Sequence, residues 1–269
     1  MITQQLIKQL TFQNVQAMFS SYCTLKPDHI LLHDLEQILP ESIKSVANVR
    51  DFYNRAILRY YPNETTIKAA FLNQILFKRK RDITIFELPV GGSRVDLCKI
   101  NGTSIAYEIK TDLDNLKRLD KQILDYQRVF EQAYVICSLK RMPEVKNVLP
   151  DNCGIYTYTH SPRKRYQFEK YRDARKNIMF DSKLQLSLLW SRELRNTFPD
   201  FKHLCKADAI EHILTGYNND EINHIFKIVL MNRFESQWSF LADNRRSIYE
   251  IDYQWFYQNK MSPQLVYGT

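Results

Sequence analysis

Apolar residues in the first sixty positions recur three and four apart, as in Val49, Phe52, Ala56 and Tyr60, and this spacing predicts helices up to about Tyr61. Pro62-Asn63 opens a further helix, with Glu64 in its first turn and Ile67, Ala70, Phe71 and Ile75 on one face. The period changes after the basic run Lys78 to Arg81. Ile83 to Val90 reads as a strand, Gly91-Gly92-Ser93 as a turn, Arg94 to Ile100 as a second strand and Thr103 to Lys110 as a third, with Asn101-Gly102 as a hairpin signal. Helical spacing returns from Asp114 to Gln132, where Leu116, Leu119, Ile123 and Phe130 face inward. Tyr134 to Cys137 and Gly154 to Tyr158 add two strands, and from Ser182 helical spacing runs to about Phe234. The predicted fold class is α/β: a mixed central sheet, made of a three-strand meander and two further strands, flanked by helices and extended by helices at both ends. The expected division is a helical segment 1–61 packed on the core, a core 62–160, a basic linker 161–181 and a helical domain 182–269.

Hydrophobic residues at 44% and aromatics at 13% suffice for a buried core and exclude a disordered chain. The net charge of +8 suits a polyanionic partner such as nucleic acid. Much of it lies between Arg163 and Lys176, where seven Lys or Arg face two acids and Tyr166, Phe168 and Tyr171 are interleaved. Arg163, Lys164 and Arg165 are therefore candidate phosphate contacts, with a solvated linker helix as the alternative. Lys78 to Arg81 has the same two readings, a phosphate contact or a solvated helix end. No stretch reaches the roughly 20 apolar residues of a membrane span, and Met1 to Gln5 lacks the basic and apolar pattern of a leader, so a cytoplasmic protein without membrane contact is expected. The five cysteines are scattered and never form C-x-x-C, as reduced thiols would be. His29 and His33 are four apart, but Ile30 stands where a zinc-protease Glu would be, and no histidine is assigned a role.

The segment that carries chemistry runs from Glu87 to Tyr126. Glu108-Ile109-Lys110 sets a carboxylate and an ammonium about 7 Å apart on one face of a strand. In the preceding strand Arg94, Asp96 and Cys98 alternate with Val95 and Leu97. A carboxylate in so apolar a strand is costly without a partner. Asp96 and Glu108 on neighbouring strands could share a hard divalent cation, which selects oxygen ligands. A plain two-residue turn would pair Asp96 with Tyr107 and turn Glu108 to the other face. The site thus requires an odd loop, for which Ile100-Asn101-Gly102 with a left-handed Gly102 is the expectation. Arg94 could contact phosphate or pair with Glu87, and Glu87 could approach the metal or lie on a sheet edge. Further on, Asp114, Arg118, Gln122 and Tyr126 recur every four residues, forming either a functional stripe or a solvated one with an Asp114–Arg118 ion pair.

A Glu early in a helix (Glu64), a strand Asp after a glycine turn (Asp96), a strand ending in Glu-x-Lys (Glu108, Lys110) and a helix bearing Gln122 and Tyr126 together resemble the PD-(D/E)XK, restriction-endonuclease-like nuclease superfamily. Val95 stands where its usual proline precedes the Asp. The string Tyr107 to Asp114, followed by Arg118-Leu119 and Gln122, is similar to an uncharacterised bacterial branch with a helical C-terminal part like Leu188 to Leu194. The resemblance implies a restriction-endonuclease-like fold and Mg²⁺ or Mn²⁺ held by Glu64, Asp96 and Glu108. It implies Lys110 positioning the attacking water, and Gln122 and Tyr126 bracing the lysine or touching phosphate, with Arg118 beside them. The implied activity is phosphodiester hydrolysis, in DNA before RNA, in restriction or phage defence, with a homodimer pairing two sites. The alternatives are a catalytically silent nucleic-acid-binding or assembly module with the same fold, and an RNase. Glu108 and Lys110 are both expected to project into a solvated cleft.

Overall fold

The computed structural model describes residues 10–40, 46–78 and 82–268, so Arg79, Lys80 and Arg81 of the first basic run lie outside the described residues. Helices α1 (Phe12–Ser21), α2 (Asp28–Ile38), α3 (Val49–Tyr60) and α4 (Glu64–Phe71) come first. Strands β1 (Ile83–Val90), β2 (Ser93–Ile100) and β3 (Ser104–Lys110) are followed by α5 (Leu119–Gln127), β4 (Gln132–Ser138), α6 (Met142–Val148), β5 (Gly154–Ser161) and β6 (Arg165–Arg172). Helices α7 (Ser182–Ser187), α8 (Ser191–Thr197), α9 (Lys206–Gly216), α10 (Asn219–Asn244), α11 (Tyr253–Asn259) and α12 (Pro263–Tyr267) complete the chain. No helix among the described residues is long and apolar enough to cross a membrane.

The chain groups into two units, one made of 1–78, 158–168 and 239–269, the other of 79–157 and 169–238. This grouping departs from the expected division at residues 61, 160 and 181. The segment 182–269 does not hold together as one domain, because its last third belongs with the N-terminal helices.

The first unit is mainly helical and also takes in residues 158–168, the end of β5 and the start of β6. Its helices start where side chains can replace missing backbone partners: Asn48 Oδ1 accepts from Asp51 N at 2.8 Å, and Asn63 and Thr66 cap one another at 2.9 and 3.1 Å. Helix α4 continues as a π turn over Leu72–Leu76, which advances the buried face by one residue. Leu72 and Leu76 are therefore buried, while Ile75, expected on that face, is only half-buried. Val15, Met18, Leu31, Leu35, Tyr53 and Ile57 form the centre of the core. Beside it the buried carboxylate of Asp252 accepts from Tyr22, Thr24 and Tyr267 hydroxyls, each at 2.7 Å.

The second unit is built on a mixed sheet in the order β1-β2-β3-β4-β5-β6, with β1, β2 and β3 antiparallel and β3 and β4 parallel. A parallel neighbour requires a crossover, and α5 supplies it, packing against β2 and β4 through Leu119, Ile123 and Tyr126. Three sequence expectations are corrected here. The helix forecast from Asp114 to Gln132 spans only Leu119–Gln127, because Asp114 Oδ2 instead accepts from Thr111 N at 2.7 Å and Asn115 Oδ1 from Lys117 N at 3.2 Å. No Asp114–Arg118 ion pair forms among the described residues. The basic linker 161–181 contains strand β6, in which Tyr166 and Phe168 turn inward between exposed Arg165, Gln167 and Glu169. The hairpin loop is odd, as the site requires, but it is Asn101-Gly102-Thr103, since Ile100 pairs with Ser104 and is fully buried. Gly102 has φ of +86°.

Candidate functional site

Strand β3 runs between β2 and β4, with α5 lying against the sheet, and this position decides the environment of Glu108. Its side chain is buried, at 2% exposure, which corrects the expectation of a solvated cleft for this residue. Burying a carboxylate is costly unless partners replace water. Lys110 Nζ donates to Glu108 Oε1 at 2.6 Å, and the Tyr126 hydroxyl lies 2.6 Å from Glu108 Oε2 and 2.8 Å from the Arg94 carbonyl. Burial, and then the nearby Glu108 charge, push the tyrosine far above its ordinary pKa, so its oxygen keeps the hydrogen.

Lys110 is held from a second side by Gln122 Oε1 at 3.0 Å. Gln122 and Tyr126 lie four apart on α5, so one helix face fixes both members of the Glu-x-Lys pair. The resemblance implied such a contact between Gln122 and the lysine. Arg118 is exposed at the N-terminal end of the same helix, and Asp114 belongs to the preceding turn.

Asp96 occupies the place where the β2–β3 ladder stops. Its Oδ2 accepts the backbone N–H of Ile109 at 2.6 Å, so the carboxylate reaches across to the residue beside Glu108. On its other side the β1–β2 ladder skips Glu87, which has φ of +54° between the Phe86–Leu97 and Leu88–Val95 pairs. A non-glycine residue in this left-handed region is strained, and the twist redirects its side chain. Glu87 and Asp96 bring carboxylate oxygens within 4.8 Å of one another. Arg94 Nε pairs with Glu87 Oε2 at 2.6 Å, one of the two partners expected for that arginine.

Glu64 is the first residue of α4, in the helical unit, where it is exposed and accepts from Lys68 Nζ at 2.9 Å. Arg163, Lys164 and Arg165 are exposed in the turn and first position of the β5–β6 hairpin, also within that unit.

Sequence reasoning passed over Asp125. Its Oδ2 accepts from Ser93 Oγ at 2.6 Å and Lys121 Nζ at 2.8 Å, tying the β1–β2 turn to α5. Burial pushes this carboxyl up, but the two donors outweigh it and hold it below the usual carboxylate range. The available signal was the Lys121–Asp125 spacing on the stripe adjoining Gln122 and Tyr126.

A bacteriophage P4 protein cII family model matches residues 58–254. Protein cII of Enterobacteria phage P4 is 25% identical over 147 residues, and that match covers 53% of this chain and 55% of the phage protein, so the chain spans about half the length of the curated relative. A solved structure, the SPO1766 protein of unknown function from Silicibacter pomeroyi, aligns with a TM-score of 0.30 at 16% identity over 38% of this chain and 66% of that one. The family model takes in every residue from Glu64 to Tyr126 discussed above, and the chain belongs to the bacteriophage P4 protein cII family.

Proposed function

We propose that the sheet-bearing unit is a restriction-endonuclease-like, metal-dependent phosphodiesterase that cleaves nucleic acid, with DNA as the preferred substrate and restriction or phage defence as its setting. The observation that carries this reading is Lys110, whose ammonium is held between Glu108 and Gln122 while the carboxylates of Asp96 and Glu87 gather on the two strands alongside. Their donors are all carboxylate oxygens, the ligand type a hard divalent ion selects, and the pair's 4.8 Å limit suits one shared ion. Asp96 and Glu87 would hold Mg²⁺ or Mn²⁺, with Glu108 a ligand by the resemblance, and the ion would supply a water of lowered pKa and neutralise charge at phosphate.

The chain's own residues do the rest. Lys110 presents a fixed positive charge toward the scissile phosphate and the incoming water. Gln122 limits the lysine's rotamers, and Tyr126 fixes the Glu108 carboxylate, so neither group has to be ordered as the substrate arrives. Ile109 N–H keeps Asp96 turned toward β3.

One observation favours a second reading. Glu108 is buried and engaged by both Lys110 and Tyr126, as it would be in a silent module that retains the fold for binding or assembly. Incubating the pure protein with linear and circular DNA and with RNA, in Mg²⁺, Mn²⁺ or EDTA, separates the two. Cleavage that needs metal and is lost in Glu108→Gln and Lys110→Ala, both with unchanged circular dichroism, is the expected result. Absence of cleavage under every condition, or full activity in both variants, overturns the nuclease reading.

A further inference from the structure

Within the helical unit, a cavity of about 560 Å³ opens between α3, the segment after α10 and the β5–β6 turn. Helix α3 contributes Asp51, Asn54, Arg55 and Leu58, which share one face at helical spacing. Arg245, Arg246 and Ser247 come from the turn that follows α10, and Arg165 comes from the first position of β6.

Four arginines around one cavity repel one another unless something offsets them. Asp51 offsets Arg55, whose Nε donates to it at 2.8 Å, and Glu250 accepts from Asn54. Counting both acids against the four guanidinium groups leaves two positive charges in excess. Among the described residues, Arg165, Arg245 and Arg246 have no carboxylate partner. Arg245 is instead held over the Phe77 ring at 4.8 Å, which orients its guanidinium without neutralising it.

Arg165 adds an independent observation. Its φ is +56°, a conformation that costs an L side chain energy and that Gly or Asn adopts more cheaply. The hairpin thus carries a strained arginine at a turn position where a smaller residue would fold better, and that arginine lines the cavity.

We propose that this cavity binds a phosphomonoester on a nucleotide unit. A terminal phosphate carries about −1.5 to −2 at neutral pH, which matches the excess charge, and guanidinium groups are the side chains best suited to bidentate phosphate recognition. The volume falls in the range of about 300–1,000 Å³ typical of small-ligand sites. Tyr249 and Ile248 on its wall supply apolar contact for a nucleoside. The site lies wholly in the helical unit and does not rest on the phosphodiesterase reading.

The same chemistry is offered by a free nucleotide and by the phosphorylated end of a strand. Calorimetric titration in EDTA, with AMP against adenosine and a 5′-phosphorylated short oligonucleotide against its 5′-hydroxyl counterpart, distinguishes them. At least one phosphate-bearing ligand should bind about tenfold or more tightly than its phosphate-free partner. AMP binding identifies a nucleotide site, and binding of the phosphorylated strand alone identifies a strand-end site. Arg165→Asn should weaken binding about fivefold or more while leaving the unfolding midpoint unchanged or higher, and Arg246→Ala should weaken it likewise. Equal affinity for both members of each pair, no binding at all, or undiminished binding by Arg165→Asn overturns the proposal.

Discussion

Replacing Tyr126 by Phe tests the pairing that allows a carboxylate to exist under α5. The ring is fully buried and stays in place, so no cavity opens and the change is one oxygen. That oxygen lies 2.6 Å from Glu108 Oε2 and 2.8 Å from the Arg94 carbonyl, yet it has one hydrogen to give, so one bond is lost. A hydrogen bond to a charged acceptor contributes about 1.5–3 kcal/mol. Glu108 keeps Lys110 at 2.6 Å, which prevents the loss from growing to the cost of an unpaired buried charge, roughly 3–5 kcal/mol. The expected loss is therefore about 1.5–3 kcal/mol, read from urea unfolding as a lower midpoint with an unchanged slope. A double-mutant cycle with Glu108→Gln should return a positive coupling energy of at least about 0.5 kcal/mol, since the two groups touch. A loss within about 0.5 kcal/mol of zero, the range of surface substitutions, would refute the argument that this hydroxyl sustains the carboxylate.

Other outcomes follow from features described above. Glu87→Ala should be less stable than Glu87→Gly by about 1 kcal/mol, because both lose the Arg94 ion pair but only glycine adopts φ of +54° without strain; equal stabilities in chemical denaturation would contradict this. Gly154→Ala should cost about 1–3 kcal/mol or more, since its Cβ would stand 2.2 Å from Tyr134 Cε1 and 2.8 Å from Ala174 N, and an unchanged melting temperature would show the close approach to be wrong. Glu131 is buried; burial pushes its carboxyl up, but Ser104 N–H, Lys227 and Lys176 outweigh that and hold it below the ordinary value. Its contribution should be complete above the unfolded carboxylate pKa of about 4.3 and be lost as pH falls through the lower folded value, so the stability gap between the parent and Glu131→Gln should narrow in acid. A gap that widens on acidification would reverse the assigned sign.

The sequence was legible where local chemistry and tertiary packing agree. Asn63 could be seen as a helix start because its side chain and that of Thr66 complete the cap within three residues. The odd β2–β3 loop was predictable from the requirement that Asp96 and Glu108 share a face. Its placement was off by one residue, because Ile100 gains more from burial in the ladder, opposite Ser104, than it would in a turn. Strand β6 was obscured by its charge: alternation of Tyr166 and Phe168 with exposed polar residues was present, but the Lys and Arg density invited a solvated reading. The left-handed Glu87 left no trace in composition or period, since backbone strain of this kind is imposed by the strands on either side. Burial of Glu108 was hidden for a similar reason, as it depends on α5 closing over β3.

The path of the chain between its two groupings also orders its synthesis. The polypeptide leaves the helical unit after residue 78, returns for 158–168 and returns again at 239. Ile251 belongs to the core of the N-terminal helices, and Asp252 is the acceptor for Tyr22 and Thr24. On the ribosome, helices α1 to α4 therefore wait for the residues around Ile251 before their core is complete, whereas residues 79–157 and 169–238 are available earlier. A nascent chain halted before Tyr249 would lack Ile251 from this core and leave the Tyr22 and Thr24 hydroxyls without their Asp252 acceptor, an incomplete core that is a natural target for chaperones and proteases.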